Sequence, residues 1–181
     1  MALLLIDLVN PLCFDGGEAL LERALPVVEK IARLKARARA AGVPAIYVND
    51  NFDLWHLGFR ELVTHFQEQK VLGMPVIERI LPDLDSDHFI LKPMHSGFFQ
   101  TALDVLLERL DIHTVVLTGI AGDICVFFTA NDAHMRGFRV VVPSDCVASE
   151  TSESNTHALR QMQRVLKARI CTSEELKLGS A

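Results

Sequence analysis

No stretch of this chain approaches the roughly 20 consecutive apolar residues that a helix needs to cross a bilayer, which excludes a membrane-spanning helix and a membrane partner. The apolar start, Met1-Ala2-Leu3-Leu4-Leu5-Ile6, has no basic residue ahead of it and is interrupted by Asp7, so it reads as a strand and not as a secretory signal. Cysteine is scarce. Cys13, Cys125, Cys146 and Cys171 lie far apart, with no C-x-x-C pair and no zinc-like spacing, which argues against disulfides and for a cytoplasmic protein. Positive charge is also short: 18 lysines and arginines face 23 acidic residues, a net charge of -5. Nucleic acid is therefore not an expected partner, because displacing its counterions needs a basic surface. The one dense basic run, Lys30, Arg33, Lys35, Arg37 and Arg39, alternates with alanines at helical spacing and reads as a solvated face.

What is abundant is apolar. Half of the 181 residues are hydrophobic, far too many for a disordered chain. With no linker, repeat or low-complexity segment, residues 1–181 are expected to form one domain. Apolar runs alternate with helical patterns, the mark of β-α-β units. Strands are expected at residues 2 to 8, 44 to 48, 88 to 91, 114 to 118, 138 to 142 and 168 to 171. Leu20, Leu21, Ala24, Val27, Val28, Ile31, Leu34 and Ala38 recur at helical spacing until Gly42, and further helices are expected after Ala102, from about Ile124 to Met135, and after Thr151. Residues 49 to 81 look irregular and are read as a lid or binding loop. The fold class is α/β, a mainly parallel sheet between helices, in which ligands bind beyond the carboxyl ends of the strands.

Three residues at such ends stand out. Asp7 ends an apolar run where an unpaired carboxylate would be costly, so it caps a loop amide, pairs with a cation, or faces a polar cleft. Lys92 ends Phe89-Ile90-Leu91 and is either a surface residue or the partner of Asp7, the latter if both strands are central. Cys125 follows Gly119-Ile120-Ala121-Gly122-Asp123 in the first turn of a helix, where free N–H groups and the helix dipole would lower a thiol pKa. The alternative is a cysteine packed as a small hydrophobe.

These pieces together resemble the isochorismatase-like cysteine hydrolases, the family of nicotinamidases and N-carbamoylsarcosine amidases. The resemblance rests on Leu4-Leu5-Ile6-Asp7 with Asn10-Pro11, Leu91-Lys92-Pro93 with Ser96-Gly97-Phe98, and Thr118-Gly119-Ile120-Ala121 with Asp123-Ile124-Cys125-Val126. Thr129-Ala130, Ala133, Gly137, Val141-Val142 and Ser144-Asp145 extend it along nearly the whole chain. It implies a three-layer α-β-α sandwich with a six-stranded, mainly parallel sheet in Rossmann-like order. It further implies an Asp7, Lys92, Cys125 triad, an oxyanion hole from the backbone N–H groups of Ala121 and Cys125, and a cis peptide between Ile120 and Ala121. The implied activity is hydrolysis of an amide or ureido C–N bond in a small molecule through a Cys125 thioester. Vinyl ether hydrolysis, a non-catalytic binding protein and a redox thiol at Cys125 are the alternatives. A homodimer or homotetramer is also implied.

The chain departs from its family at two places. Gly122 stands where relatives often carry threonine. After Asp50 comes Asn51-Phe52-Asp53 in place of the Asp-x-His cluster of metal-containing nicotinamidases; with only His56 nearby, no metal and no other cofactor is expected. Phe14, Asn49, Trp55 and Phe98 are the candidates for substrate contact, with core packing an equal explanation for Phe14 and Phe98. His95 lies close to Lys92 in sequence, but with an aspartate base available nothing requires a Cys-His pair.

Overall fold

The computed structural model describes residues 1–179. Its centre is a parallel sheet in which strands β1 (Ala2–Ile6), β2 (Ala45–Asp50), β3 (His88–Lys92), β4 (Thr114–Ile120), β5 (Arg139–Pro143) and β7 (Arg169–Cys171) run in the order β3-β2-β1-β4-β5-β7. A seventh strand, β6 (Val147–Ala148), pairs with Gly119 and Ile120 of β4 beyond the point where β5 leaves it. The count is thus seven and not six. Two residues are too few to carry the alternation by which a strand is recognised, so β6 had no sequence signature.

Alternation divides the core. Leu3 and Leu5, Tyr47, and Val116 and Ile120 face one side; Ala2, Leu4 and Ile6, Ile46 and Val48, and Val115 and Leu117 face the other. Strands apolar on both faces must be covered twice, which gives the three layers. On the first side lie α1 (Gly17–Ala40), through Leu20, Ala24, Val28, Ile31, Leu34 and Ala38, and α2 (Phe59–Gln69), followed by the short α3 (Met74–Ile77). On the second lie α4 (Leu103–Arg109), α5 (Cys125–Met135) and α6 (Ser152–Val165).

Residues 49 to 81 are not an irregular lid. Phe59, Leu62, Val63 and Phe66 form the inner face of α2, and Val76, Ile77 and Ile80 continue into the same core. Phe59 stacks on Phe89 of β3 with ring centroids 4.5 Å apart.

The chain winds from β1 outward to β3 on one flank, then crosses to β4 on the other, so the order reverses between β1 and β4. A crevice opens at such a reversal, outside the strand ends. The two strands approach tightly there because residue 119 is glycine: it has φ +120°, and a Cβ would lie 2.0 Å from the Ile6 carbonyl oxygen. Gly119→Ala is expected to cost about 1–3 kcal/mol in backbone strain alone, with the clash in addition. Its urea midpoint should fall well below that of the unsubstituted protein; an unchanged midpoint would contradict this packing.

Candidate active site

The residues following the strands fill that crevice. β1 ends at Ile6, and Asp7 turns the chain at φ 50°. Asn49, fully buried, holds the next turn: its carbonyl oxygen accepts from the Val9 N–H at 3.0 Å and its amide donates to the Val9 carbonyl at 2.8 Å. Its amide is thus committed to the protein backbone, which makes it a clamp on the Asp7 loop and not a free substrate contact.

Asp7 accepts the Asp50 N–H at 2.7 Å on one oxygen and meets Lys92 Nζ at 2.8 Å on the other. Both sequence readings of Asp7, the loop cap and the ion pair, therefore hold at once. β3 is the sheet's edge strand, two strands from β1, so the pair forms without the condition attached to it in the sequence, that both strands be central. The long lysine side chain still reaches across the end of β2, and it is fully buried. Lys92 Nζ also lies 3.6 Å from Cys125 Sγ and 3.4 Å from Asp50 Oδ2.

Cys125 opens α5 and is partly exposed. Thr129 fastens its helix to the segment after Lys92, accepting the Gly97 N–H at 3.0 Å and donating to the Cys125 carbonyl at 2.7 Å. The peptide bond between Ile120 and Ala121 is cis. Within the following turn, the Gly122 N–H donates to the Ala148 carbonyl, that of Asp123 to Ser149 Oγ, and those of Ile124 and Val126 to the Ala121 carbonyl. Among the described residues, the N–H groups of Ala121 and Cys125 are left without partners in this turn.

The electrostatics reverse one expectation. The helix-mouth position predicted a depressed thiol pKa, yet burial, and next the Asp7 carboxylate, push the Cys125 thiol up; Lys92 pulls it down without cancelling them. Burial likewise raises the Asp7 carboxyl above its ordinary value, against the opposing pull of Lys92. Burial works against the Lys92 charge, but Asp7, Cys125 and Asp50 outweigh it and hold the ammonium above the usual lysine value. The arrangement therefore favours a fixed cation beneath one proton held between a carboxylate and a thiol.

The other candidates lie apart from this centre or in the core. Phe98 is buried against Phe138, a packing residue. Phe14 is half exposed beside the start of α1, in a hollow shared with Cys13 and Leu72. Trp55 is 70% exposed on the loop before α2. Three further residues stand beside Lys92 or Cys125. Asp50 shares Lys92. His95 places Nδ1 4.0 Å from Cys125 Sγ, and its ring lies 5.5 Å from that of Phe128, which is half exposed. Asp50 alternates with no other signal in its strand, and His95 is brought in only by the turn after β3.

The donors near Asp50 do not suit a transition metal. Its carboxylate already accepts the Phe52 N–H at 2.7 Å and faces Lys92, and the side chain two residues on is Phe52, packed on Phe66. Among the described residues no group of three or more His, Cys, Asp or Glu side chains gathers. Nor is any described helix long and apolar enough to cross a membrane.

Comparison with known proteins gives one consistent answer. The family model for the isochorismatase domain matches residues 1–175. The isochorismatase family protein YaaI of Bacillus subtilis is 41% identical over 175 residues, covering 97% of this chain and 95% of its own length. The ureidoacrylate amidohydrolase RutB of Methylorubrum extorquens is 29% identical, over 79% of this chain and 67% of the relative. The crystal structure of N-carbamoylsarcosine amidase from Thermoplasma acidophilum superposes with a TM-score of 0.74 at 29% identity, over 97% of this chain and 98% of that one. With a family model covering nearly its whole length and a parallel α/β sandwich to match, the chain belongs to the isochorismatase family of hydrolases.

Proposed function

We propose that the protein hydrolyses an amide or ureido C–N bond of a small molecule through a thioester on Cys125. The observation that carries this reading is Lys92 Nζ, buried 2.8 Å from Asp7 and 3.6 Å from Cys125 Sγ. A buried lysine–carboxylate pair beside a thiol has little structural value that apolar residues at both positions would not supply better. It makes sense as the counter-ion for a negative charge that moves between those two groups.

In the acylation step Cys125 Sγ attacks the carbonyl carbon while its proton passes to Asp7. The negative charge leaves the carboxylate, forms on the substrate oxygen, and is met by the unpaired N–H groups of Ala121 and Cys125. Collapse of the tetrahedral intermediate breaks the C–N bond, and Asp7 returns the proton to the departing nitrogen. Water then attacks the thioester with Asp7 as base; the C–S bond breaks and Sγ regains a proton. Lys92 stays charged throughout. The rings of His95 and Phe128 beside the thiol suit a planar carboxamide or ureido group. Relatives named for amide and ureido chemistry support this choice of bond.

The test is to incubate the protein with a panel of small carboxamides and ureido compounds and trap the enzyme by rapid acid quench. Product together with an acyl adduct localised to Cys125 by mass spectrometry is the expected result. Turnover without any adduct on that residue would overturn the thioester route.

A pH profile follows from the same geometry. Asp7 must be ionised to accept the thiol proton, and its carboxyl titrates above the ordinary 3.8. The acid limb of kcat/KM should therefore lie above the usual aspartate range. The alkaline limb should lie beyond ordinary lysine titration at 10.5, since Lys92 is held protonated. An acid limb at or below 3.8 would rule out Asp7 as the proton acceptor.

A further inference from the structure

The turn that carries the two unpaired N–H groups is itself held from outside. Ser149 Oγ, almost completely buried, accepts the Asp123 N–H at 3.1 Å and donates to Asn155 Oδ1 at 3.2 Å. Asn155, in the first turn of α6, donates from Nδ2 to the Val147 carbonyl at 3.4 Å. Val147 and Ala148 form β6, and the Gly122 N–H donates to the Ala148 carbonyl at 2.8 Å. The Gly122 and Asp123 amides are thus both drawn toward β6 and α6, away from the crevice.

Gly122 explains why the hold is needed. Its φ lies outside the left-handed region, so glycine is not required there for backbone conformation. It is required for space: a Cβ would sit 2.3 Å from Asn155 Oδ1 and 3.2 Å from Ser149 Oγ. The Asn155 amide occupies the volume that a side chain at position 122 would fill. Glycine leaves the adjoining peptide planes free to rotate, and rotation there would shift the Cys125 N–H relative to that of Ala121.

We infer that Asn155, acting through Ser149, is a positioning residue that fixes the orientation of the turn from Ala121 to Cys125 for binding the oxyanion. This rests on the assignment of that turn as the oxyanion site under the proposed function. The side chain on α6 replaces, from a distant point in the sequence, the restraint that residue 122 lacks.

Two reactions of Cys125 separate positioning from general damage. Alkylation by iodoacetamide displaces iodide from carbon: the S–C bond forms, the C–I bond breaks, the thiol proton is released, and no oxyanion develops. Addition to acetaldehyde forms an S–C bond as the C=O π bond opens, and the thiol proton passes to Asp7 as in the acylation step; the aldehyde oxygen then carries the negative charge and needs the N–H donors. Protection of Cys125 from iodoacetamide by acetaldehyde therefore reads the thiol together with the oxyanion site, and alkylation reads the thiol without it.

In Asn155→Ala and Ser149→Ala the acetaldehyde concentration for half-protection should rise about tenfold, a fraction of the roughly 10²–10³ lost with a whole oxyanion donor. The alkylation rate should stay within about twofold of the unsubstituted protein, near the scatter of context effects on a thiol that keeps its own neighbours. Gly122→Ser should show the same weakened protection through its clash with Asn155. The double variant Gly122→Ser/Asn155→Ala should recover protection beyond either single variant, because the serine side chain enters the vacated space. Unchanged protection in both alanine variants, parallel loss of alkylation and protection, or a double variant no better than its parents would each overturn the inference. Failure of the unsubstituted protein to be protected at all would instead overturn the oxyanion assignment beneath it.

Discussion

Cys125→Ala is expected to abolish hydrolysis and to leave the protein folded. Every chemical step proposed passes through Sγ, and no other thiol stands beside it: Cys13 is exposed in the hollow at the start of α1, apart from the crevice, Cys146 is buried with its thiol pushed up to about 12, and Cys171 is buried at the end of β7. Loss of a nucleophile in a triad that acts as a unit lowers kcat by at least about 10⁴-fold. The fold has little stake in the sulfur, which sits partly exposed at the first position of α5. A change within about 1 kcal/mol is expected for a truncation that opens no enclosed cavity. Paired measurement of turnover and urea midpoint checks both halves. Full activity in this variant would end the cysteine hydrolase reading, and collapse of the midpoint would mean that Cys125 is a packing residue.

Lys92→Met is expected to lower both activity and stability, with a stability loss that depends on pH. Methionine matches the length of the stem but leaves the Asp7 carboxylate buried with no cation. Breaking a buried pair by removing one partner costs about 3–5 kcal/mol. Without Lys92, the influence that lowers the Asp7 pKa most is gone, so the folded-state value rises further above 3.8. A carboxyl shifted upward stabilises the fold below its unfolded value and loses that contribution as pH rises through the folded value. The deficit of this variant should therefore be largest at neutral pH and shrink as the pH falls toward 3.8. In the unsubstituted protein, protonating Asp7 at low pH also deprives Lys92 of its main partner, which narrows the gap from the other side. Urea denaturation at pH 7 and at pH 4.5 would show this; a deficit independent of pH would mean that lost packing, and not the lost ion pair, is responsible.

Most of the fold is legible in the chain because strands buried on both faces are continuous apolar runs, and those of β1, β2, β4 and β5 are unmistakable. Residues 49 to 81 show where that reading weakens. Phe59, Leu62, Val63 and Phe66 have helical spacing, but glycines at 58 and 73 punctuate the segment and draw attention to its turns. The three residues at the centre of the site are legible from their local settings: Asp7 and Lys92 are polar side chains ending apolar runs, and Cys125 follows a glycine-bearing turn at the mouth of a helix. Asp50 and His95 are named in the sequence reading without a role in this centre, because their contacts with Lys92 and Cys125 exist only in the folded geometry. The sign of the thiol pKa was missed on similar grounds. A helix mouth can be read locally, whereas burial and a carboxylate from β1 cannot.

The backbone at Asp7 has a consequence for how this family can lose its chemistry. At φ 50° a β-branched or bulky residue is strained, whereas Asp and Asn enter this region comparatively easily. Asparagine at position 7 would keep the turn, accept the Asp50 N–H through its amide oxygen, and leave Asp50 as the partner of Lys92. It would lack only the ability to take a proton. The conformation that presents the proposed base would thus also leave open an inconspicuous exit from catalysis: a single exchange that would preserve the fold and the shape of the crevice, and would turn a hydrolase into a binding protein that sequence comparison would still count among its relatives.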